Sequence, residues 1–176
     1  METCCSTWQV EFTYQVCDLL NTPEVQSLQS YSHHHRVSRY EHALLVSQLA
    51  FRIARTFGLD CRAAARCGLL HDLYPGEKSR SAGPFFFLRH AWNHPKQALE
   101  NAQNLTYLTG KEQNIIESHM WPMCKALPKS REAWLVNLVD TFVAVLDVLG
   151  WNSMVLQPML LKKSQNTHFT SLPRLE

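Results

Sequence analysis

The sequence predicts an all-α protein, a compact single-domain helical bundle. Three observations carry this reading. Apolar residues recur every three to four positions in one segment after another. Helix caps and Gly or Pro stops fall between those segments. No stretch alternates apolar and polar residues as a half-buried strand would, so β content is expected to be minor. A chain of 176 residues suits one domain with a sizeable core.

The elements follow in order. Trp8, Phe12, Val16 and Leu19 give a first helix over about residues 7–20. Thr22 before Pro23 caps a short helix reaching about Leu28, with proline at the first helical position. Residues 37–57 carry the clearest amphipathic stripe: Leu45, Val46, Leu49, Ala50, Ile53 and Phe57, stopped by Gly58. Asp60 caps the next helix, which runs through Ala63-Ala64-Ala65 to His71-Asp72 and ends at Pro75-Gly76. Residues 76–90 read as a loop with an apolar tip, Phe85-Phe86-Phe87. His94 precedes Pro95, which places it at a helix N-terminus ahead of Ala98, Leu99, Ala102 and Leu105. Thr109 and Glu112 form a capping box for a helix on which Ile115, Ile116 and His119 share a face, with Pro122 stopping it. Ser130 caps a long helix whose core face is expected to hold Leu135, Leu138, Val139, Phe142, Val143 and Leu146. A last helix over 152–161 precedes a polar tail.

Bulk properties exclude several classes. The net charge is +2 and no long basic run occurs, so there is no strong nucleic-acid signal. No run of 18 apolar residues exists, so no membrane span is expected. Met1-Glu2-Thr3 lacks a basic start and no apolar run follows, so no signal peptide is expected. The six cysteines, at 4, 5, 17, 61, 67 and 124, form no Cys-x-x-Cys pair. Free thiols in the cytoplasm are the expectation.

The chemistry lies in His71-Asp72, inside Leu69-Leu70-His71-Asp72-Leu73. Buried ionisable groups are costly unless paired or bound to a metal. His42, His94, His119 and Asp140 also sit in or beside apolar helical segments, with successive gaps of 21 to 29 positions. Each gap is about one helix plus a turn, so consecutive helices can each deliver one ligand to a shared core site. Such a His and carboxylate mixture suits Fe, Mn, Zn, Ni or Mg. One ion would be served by His42, His71, Asp72 and Asp140. Asp72 has a second oxygen, which can bridge to another ion held by His94 and His119. Two ions about 4 Å apart clamp a phosphoryl group and acidify a bridging water, whose hydroxide is then the nucleophile.

This arrangement resembles the HD superfamily of metal-dependent phosphohydrolases. His42, His71-Asp72 and Asp140 match its H…HD…D order, and His94 and His119 match the extra histidines of its bimetallic members. The resemblance covers about residues 31–147. Arg39-Tyr40-Glu41-His42, Gly68-Leu69-Leu70-His71-Asp72, His90-Ala91-Trp92-Asn93-His94-Pro95 and His119-Met120-Trp121-Pro122 are similar to a subgroup of small bacterial members. It implies an HD-type helical core over residues 31–149, an N-terminal helical extension over 1–30, and a C-terminal helix and tail over 150–176. It also implies hydrolysis of a phosphate ester or anhydride, commonly of a nucleotide, with two divalent metal ions as cofactors. One bimetallic branch cleaves dinucleoside tetraphosphates and another cyclic dinucleotides. The latter carries His-Asp-x-Gly-Lys, where this chain reads His71-Asp72-Leu73-Tyr74-Pro75. A non-catalytic nucleotide-binding module and a di-iron oxygenase remain alternatives on the same ligand set.

Other candidates surround this set. Asp72 and His90 are the catalytic candidates; for His90, a hydrogen bond to a ligand, a proton donor to the leaving group and a surface position all stay open. Arg39 and Lys96 are candidates for holding phosphate oxygens. His33-His34-His35 reads as a polar loop, and the resemblance puts it near the pocket mouth. Asp147, seven residues after Asp140, shares its helical face and reads as a cap or salt-bridge residue.

Overall fold

A computed structural model describes residues 7–33, 37–74 and 84–149, with the backbone alone at 7, 32, 33 and 84–91. The described residues are all-α apart from one minimal ribbon. The helices are α1 (Thr7–Leu20), α2 (Pro23–Ser27), α3 (Arg39–Thr56), α4 (Cys61–Leu70), α5 (Pro84–Leu105), α6 (Gly110–Ser118) and α7 (Arg131–Val148). A 3₁₀ turn spans Leu28–Ser30. Strands β1 (Ser32–His33) and β2 (Val37–Ser38) pair antiparallel and lead the chain into α3. The expected C-terminal helix at 152–161 lies outside the described residues, as do His34 and His35.

Local chemistry sets the helix starts where the sequence places them. Side chains of Thr22, Asp60, Thr109 and Ser130 each accept a hydrogen bond from the first turn of α2, α4, α6 and α7. Each satisfies a backbone N–H that has no partner within its helix. Thr109 and Glu112 form the expected capping box, and Ser38 with Glu41 forms a second at α3. Gly58, at φ +65°, lets the chain reverse after α3. Phe57, already beyond the helix, is exposed rather than part of the core stripe.

One apolar core joins all the long helices. Phe12, Val16 and Leu19 of α1 meet Leu45, Val46 and Phe51 of α3, Leu69 and Leu70 of α4, Ile115 and Ile116 of α6, and Val136 and Val143 of α7. The rings of Phe12 and Phe51 meet edge to face at 5.5 Å. Arg66 reinforces the attachment of α1. Its buried guanidinium bonds Asp18 at 2.6 and 2.8 Å, the Gln15 carbonyl at 3.2 Å and Thr106 Oγ1 at 3.1 Å.

Helices α5 and α7 differ from the sequence expectation. Helix α5 begins at Pro84, so the segment over 84–90 is helical and His94 lies inside the helix. Pro84 supplies the favoured first-turn proline, while Pro95 is an interior one, where the ring removes one backbone bond. On α7, Leu138 and Phe142 are exposed, whereas Val136, Asn137, Asp140 and Asp147 are buried with Val139, Val143 and Leu146. The helix is apolar nearly all round, so apolar periodicity could not select its inner face. That face is marked by its polar residues.

Helices α3 and α4 approach backbone to backbone at Gly68. A Cβ added to Gly68 would lie 2.8 Å from Ser47 Cα and 3.0 Å from Ser47 N, both backbone atoms. Ser47 Oγ also donates to the Ala65 carbonyl at 2.6 Å. This contact sets how near His42 on α3 comes to His71 at the end of α4. Gly→Ala within an open helix is worth about 1 kcal/mol in favour of alanine. Here the backbone clash should dominate, and Gly68→Ala should destabilise by about 1–3 kcal/mol. Thermal unfolding checks this: Tm should fall by about 2–4 °C per kcal/mol lost, and an unchanged or raised Tm would refute the close-packing argument.

Candidate metal centre

Five elements deliver the six candidate ligands. His42 lies in the first turn of α3. His71 caps the C-terminus of α4 and Asp72 follows in the turn. The expected helix through Asp72 thus ends at Leu70, which frees the two side chains from one helical face. His94 lies on α5, His119 caps the C-terminus of α6, and Asp140 lies on α7. All six are buried, with His42 and His71 fully so.

Their donor atoms converge. His42 Nε2 lies 3.0 Å from Asp140 Oδ1, and His71 Nε2 lies 3.4 Å from the same oxygen. Asp72 faces two ways. Its Oδ2 is 3.9 Å from His71 Nε2, while its Oδ1 is 3.5 Å from His94 Nε2 and 3.8 Å from His119 Nε2. His94 Nε2 and His119 Nε2 approach to 2.8 Å. Two sets therefore share Asp72: His42, His71 and Asp72, and Asp72, His94 and His119, each with ligand atoms within 4.8 Å of one another.

The donors fit a divalent cation. Buried His71 Nε2 has no hydrogen-bond partner, an unusual cost for a core atom unless something else satisfies it. Its Nδ1 is bound to the Gly68 carbonyl at 2.9 Å, and His119 Nδ1 to the Ile116 carbonyl at 2.7 Å. Both rings therefore carry the proton on Nδ1 and turn Nε2 inward, the form a metal accepts.

Charge matching explains the site's electrostatics. Burial alone would push the Asp72 carboxyl up. The imidazoles of His71, His94 and His119 outweigh it and hold the carboxyl below its usual range. Burial likewise opposes charge on Asp140, and His71 and His42 overturn it. His42 is disfavoured by burial yet raised to about 10 by its bonds to Asp140 and Asp147. His119 goes the other way, lowered to about 3 by burial and by the neighbouring His94 and His71.

Residues around the six fall into place less evenly. Arg39 is buried with its guanidinium 3.9 Å from the Tyr74 ring centroid, and its Nη1 donates to the Tyr74 carbonyl at 3.0 Å. It thus fixes the segment that follows Asp72. Lys96 is exposed on α5. The side chains of His33, His90, Phe85, Phe86 and Phe87 lie outside the description. Sequence reasoning passed over Asn137, whose amide donates to the carbonyls of His119 and Trp121 and so holds the ligand-bearing turn after α6. Its signal was a polar residue one turn before Asp140. Tyr74 was also passed over; its ring lies 5.2 Å from that of His94 and lines a cleft of about 260 Å³ with Tyr31, Leu73 and Asn101.

An all-helical bundle whose centre gathers four histidines and two aspartates has side-chain groups that could hold metal ions. The family model described as HD domain matches residues 39–145, more than half of the chain, and the chain belongs to the HD domain family. Its members are generally metal-dependent phosphohydrolases. No curated protein and no solved structure matches the chain. Among the described residues no helix is long and apolar enough to cross a membrane.

The titration of His119 has a consequence for the metal-stripped protein. An unfolded histidine takes up a proton near pH 6.5, whereas native His119 does so only near 3. Between about pH 5.5 and 4, where His42 and His71 carry their extra proton in native and unfolded states alike, only the unfolded state binds the proton at His119, and stability falls as pH falls. Native Asp72 and Asp140 add a further loss only below about pH 4, where unfolded carboxyls protonate. Calorimetry of chelator-treated protein should show Tm declining across that window, with a flatter decline in His119→Gln. Parallel declines would show that His119 is not the cause.

Proposed function

We propose that this protein is a phosphohydrolase that cleaves a phosphate ester or anhydride, with a nucleotide as the substrate class, at a centre of two divalent cations. The observation that carries the reading is the double-facing Asp72 carboxylate, one oxygen toward His71 and the other toward His94 and His119. His42, His71, Asp72 and Asp140 would hold one cation, and Asp72, His94 and His119 the other. Two such cations supply Lewis acidity toward phosphoryl oxygens and lower the pKa of a shared water to about 7.

The chain's own residues do the rest. The apolar helices exclude bulk water, which strengthens every charge interaction at the centre. His90, one helical turn before His94 on α5, is assigned the proton for the leaving group. Lys96 and the buried, unpartnered Nε of Arg39 are assigned the phosphate oxygens. The nucleotide class rests on the sequence resemblance; the cleft beside Tyr74 is lined by Glu24, Tyr31, Leu73 and Asn101 and by none of the six candidate ligands. Free thiols at Cys17, Cys61, Cys67 and Cys124 support a cytoplasmic setting.

The test is Asp72→Ala, with helicity checked by circular dichroism. Metal content by elemental analysis should be lost, and phosphate release from a panel of nucleotides should fall by roughly 10²–10³-fold or more. A metal-free Asp72→Ala enzyme with full activity would overturn the proposal. Oxygen consumption with iron, and no phosphate release by the wild-type protein, would do so as well.

A further inference from the structure

Asp147 is buried, two turns beyond Asp140 near the end of α7. Seven residues of helix span about 10.5 Å, and the His42 ring sits between the two carboxylates. Asp140 Oδ1 meets Nε2 at 3.0 Å, and Asp147 Oδ2 meets Nδ1 at 2.8 Å. The two ring nitrogens point away from each other, so Asp147 lies on the side of the imidazole remote from the other ligands. It cannot share an ion with Nε2.

We propose that Asp147 is a positioning residue: its carboxylate accepts the Nδ1–H of His42 and so commits the Nε2 lone pair to the metal. The inference rests on the reading of His42 as a metal ligand. His71 and His119 are set in the same way, but by backbone carbonyls three residues earlier, at the ends of α4 and α6. His42 sits in the first turn of α3, where the carbonyl three residues back is Arg39's, within the same turn. Its Nδ1 is met instead by a side chain from α7. Asp147 therefore does for His42 what helix ends do for the other two. A carboxylate on the outer nitrogen also makes the inner one a stronger base and ligand.

The experiment uses the full chain, stripped of metal and titrated with Co²⁺, with visible absorption reporting ligation. Asp147→Asn keeps the volume and a hydrogen-bonding oxygen while removing the charge. The Kd for Co²⁺ should rise about 10–100-fold, while the Co²⁺ site keeps its ligand number. Equal Kd values for wild type and Asp147→Asn would overturn the role of Asp147 while leaving the metal centre standing. A wild-type protein that binds no Co²⁺ would overturn both. Should Asp147→Asn fail to fold, ¹⁵N NMR of the Zn²⁺-loaded wild type decides. A His42 ring protonated at Nδ1 supports the inference, and one protonated at Nε2 refutes it.

Discussion

A buried carboxylate carries a desolvation cost of several kcal/mol unless its surroundings return the lost hydration. Asp72 meets this constraint at the centre of the bundle, where three imidazoles face its two oxygens. The rest of the site answers the same demand. Asp140 faces His42 and His71, and Asp147 faces the far side of His42. No carboxylate in this cluster is left without an imidazole; those of His71 and His119 are held by helix ends and that of His42 by α7.

The helical scaffold turns that pairing into a geometry. Packing of Gly68 against Ser47 brings α3 and α4 close enough for His42 and His71 to reach one oxygen of Asp140. Asn137 anchors the turn carrying His119 to α7, and Arg39 holds the backbone just beyond Asp72. The six candidate ligands thus come from five elements, and α3, α4 and α6 are each tied to a neighbour near the point where their ligands leave them. A site built this way loses several ligands' alignment when one contact is disturbed.

Much of this was legible in the residues. Caps at Thr22, Asp60, Thr109 and Ser130 are local chemistry, and a sequence states local chemistry directly. The six candidate side chains were legible because polar groups in apolar helical runs need a partner, and the structure brings them together. What was lost depended on tertiary context. Proline before a helical run suggested a start at His94, yet Pro84 had already begun the helix. Helix α7 is apolar on several faces, so Leu138 and Phe142 looked as inward as Val139 and Val143. Asp147 shared a face with Asp140, but nothing in the spacing said that an imidazole from α3 would stand between them. Asn137 works on backbone carbonyls, which no side-chain pattern announces.

The site's chemistry follows from the same frame. His71 and His119 present Nε2 inward, the Asp72 carboxylate is held ionised, and His119 is held neutral while His42 is held protonated between Asp140 and Asp147. Membership of the HD domain family fits that centre, and the two-way Asp72 carboxylate is what the proposed pair of cations rests on. The most direct measurement is anomalous diffraction at metal absorption edges from crystals of the full chain. Two peaks about 4 Å apart, one on each side of Asp72, are the predicted result. Electron density without any anomalous peak among these six side chains, in crystals grown with excess divalent metal, would contradict the account.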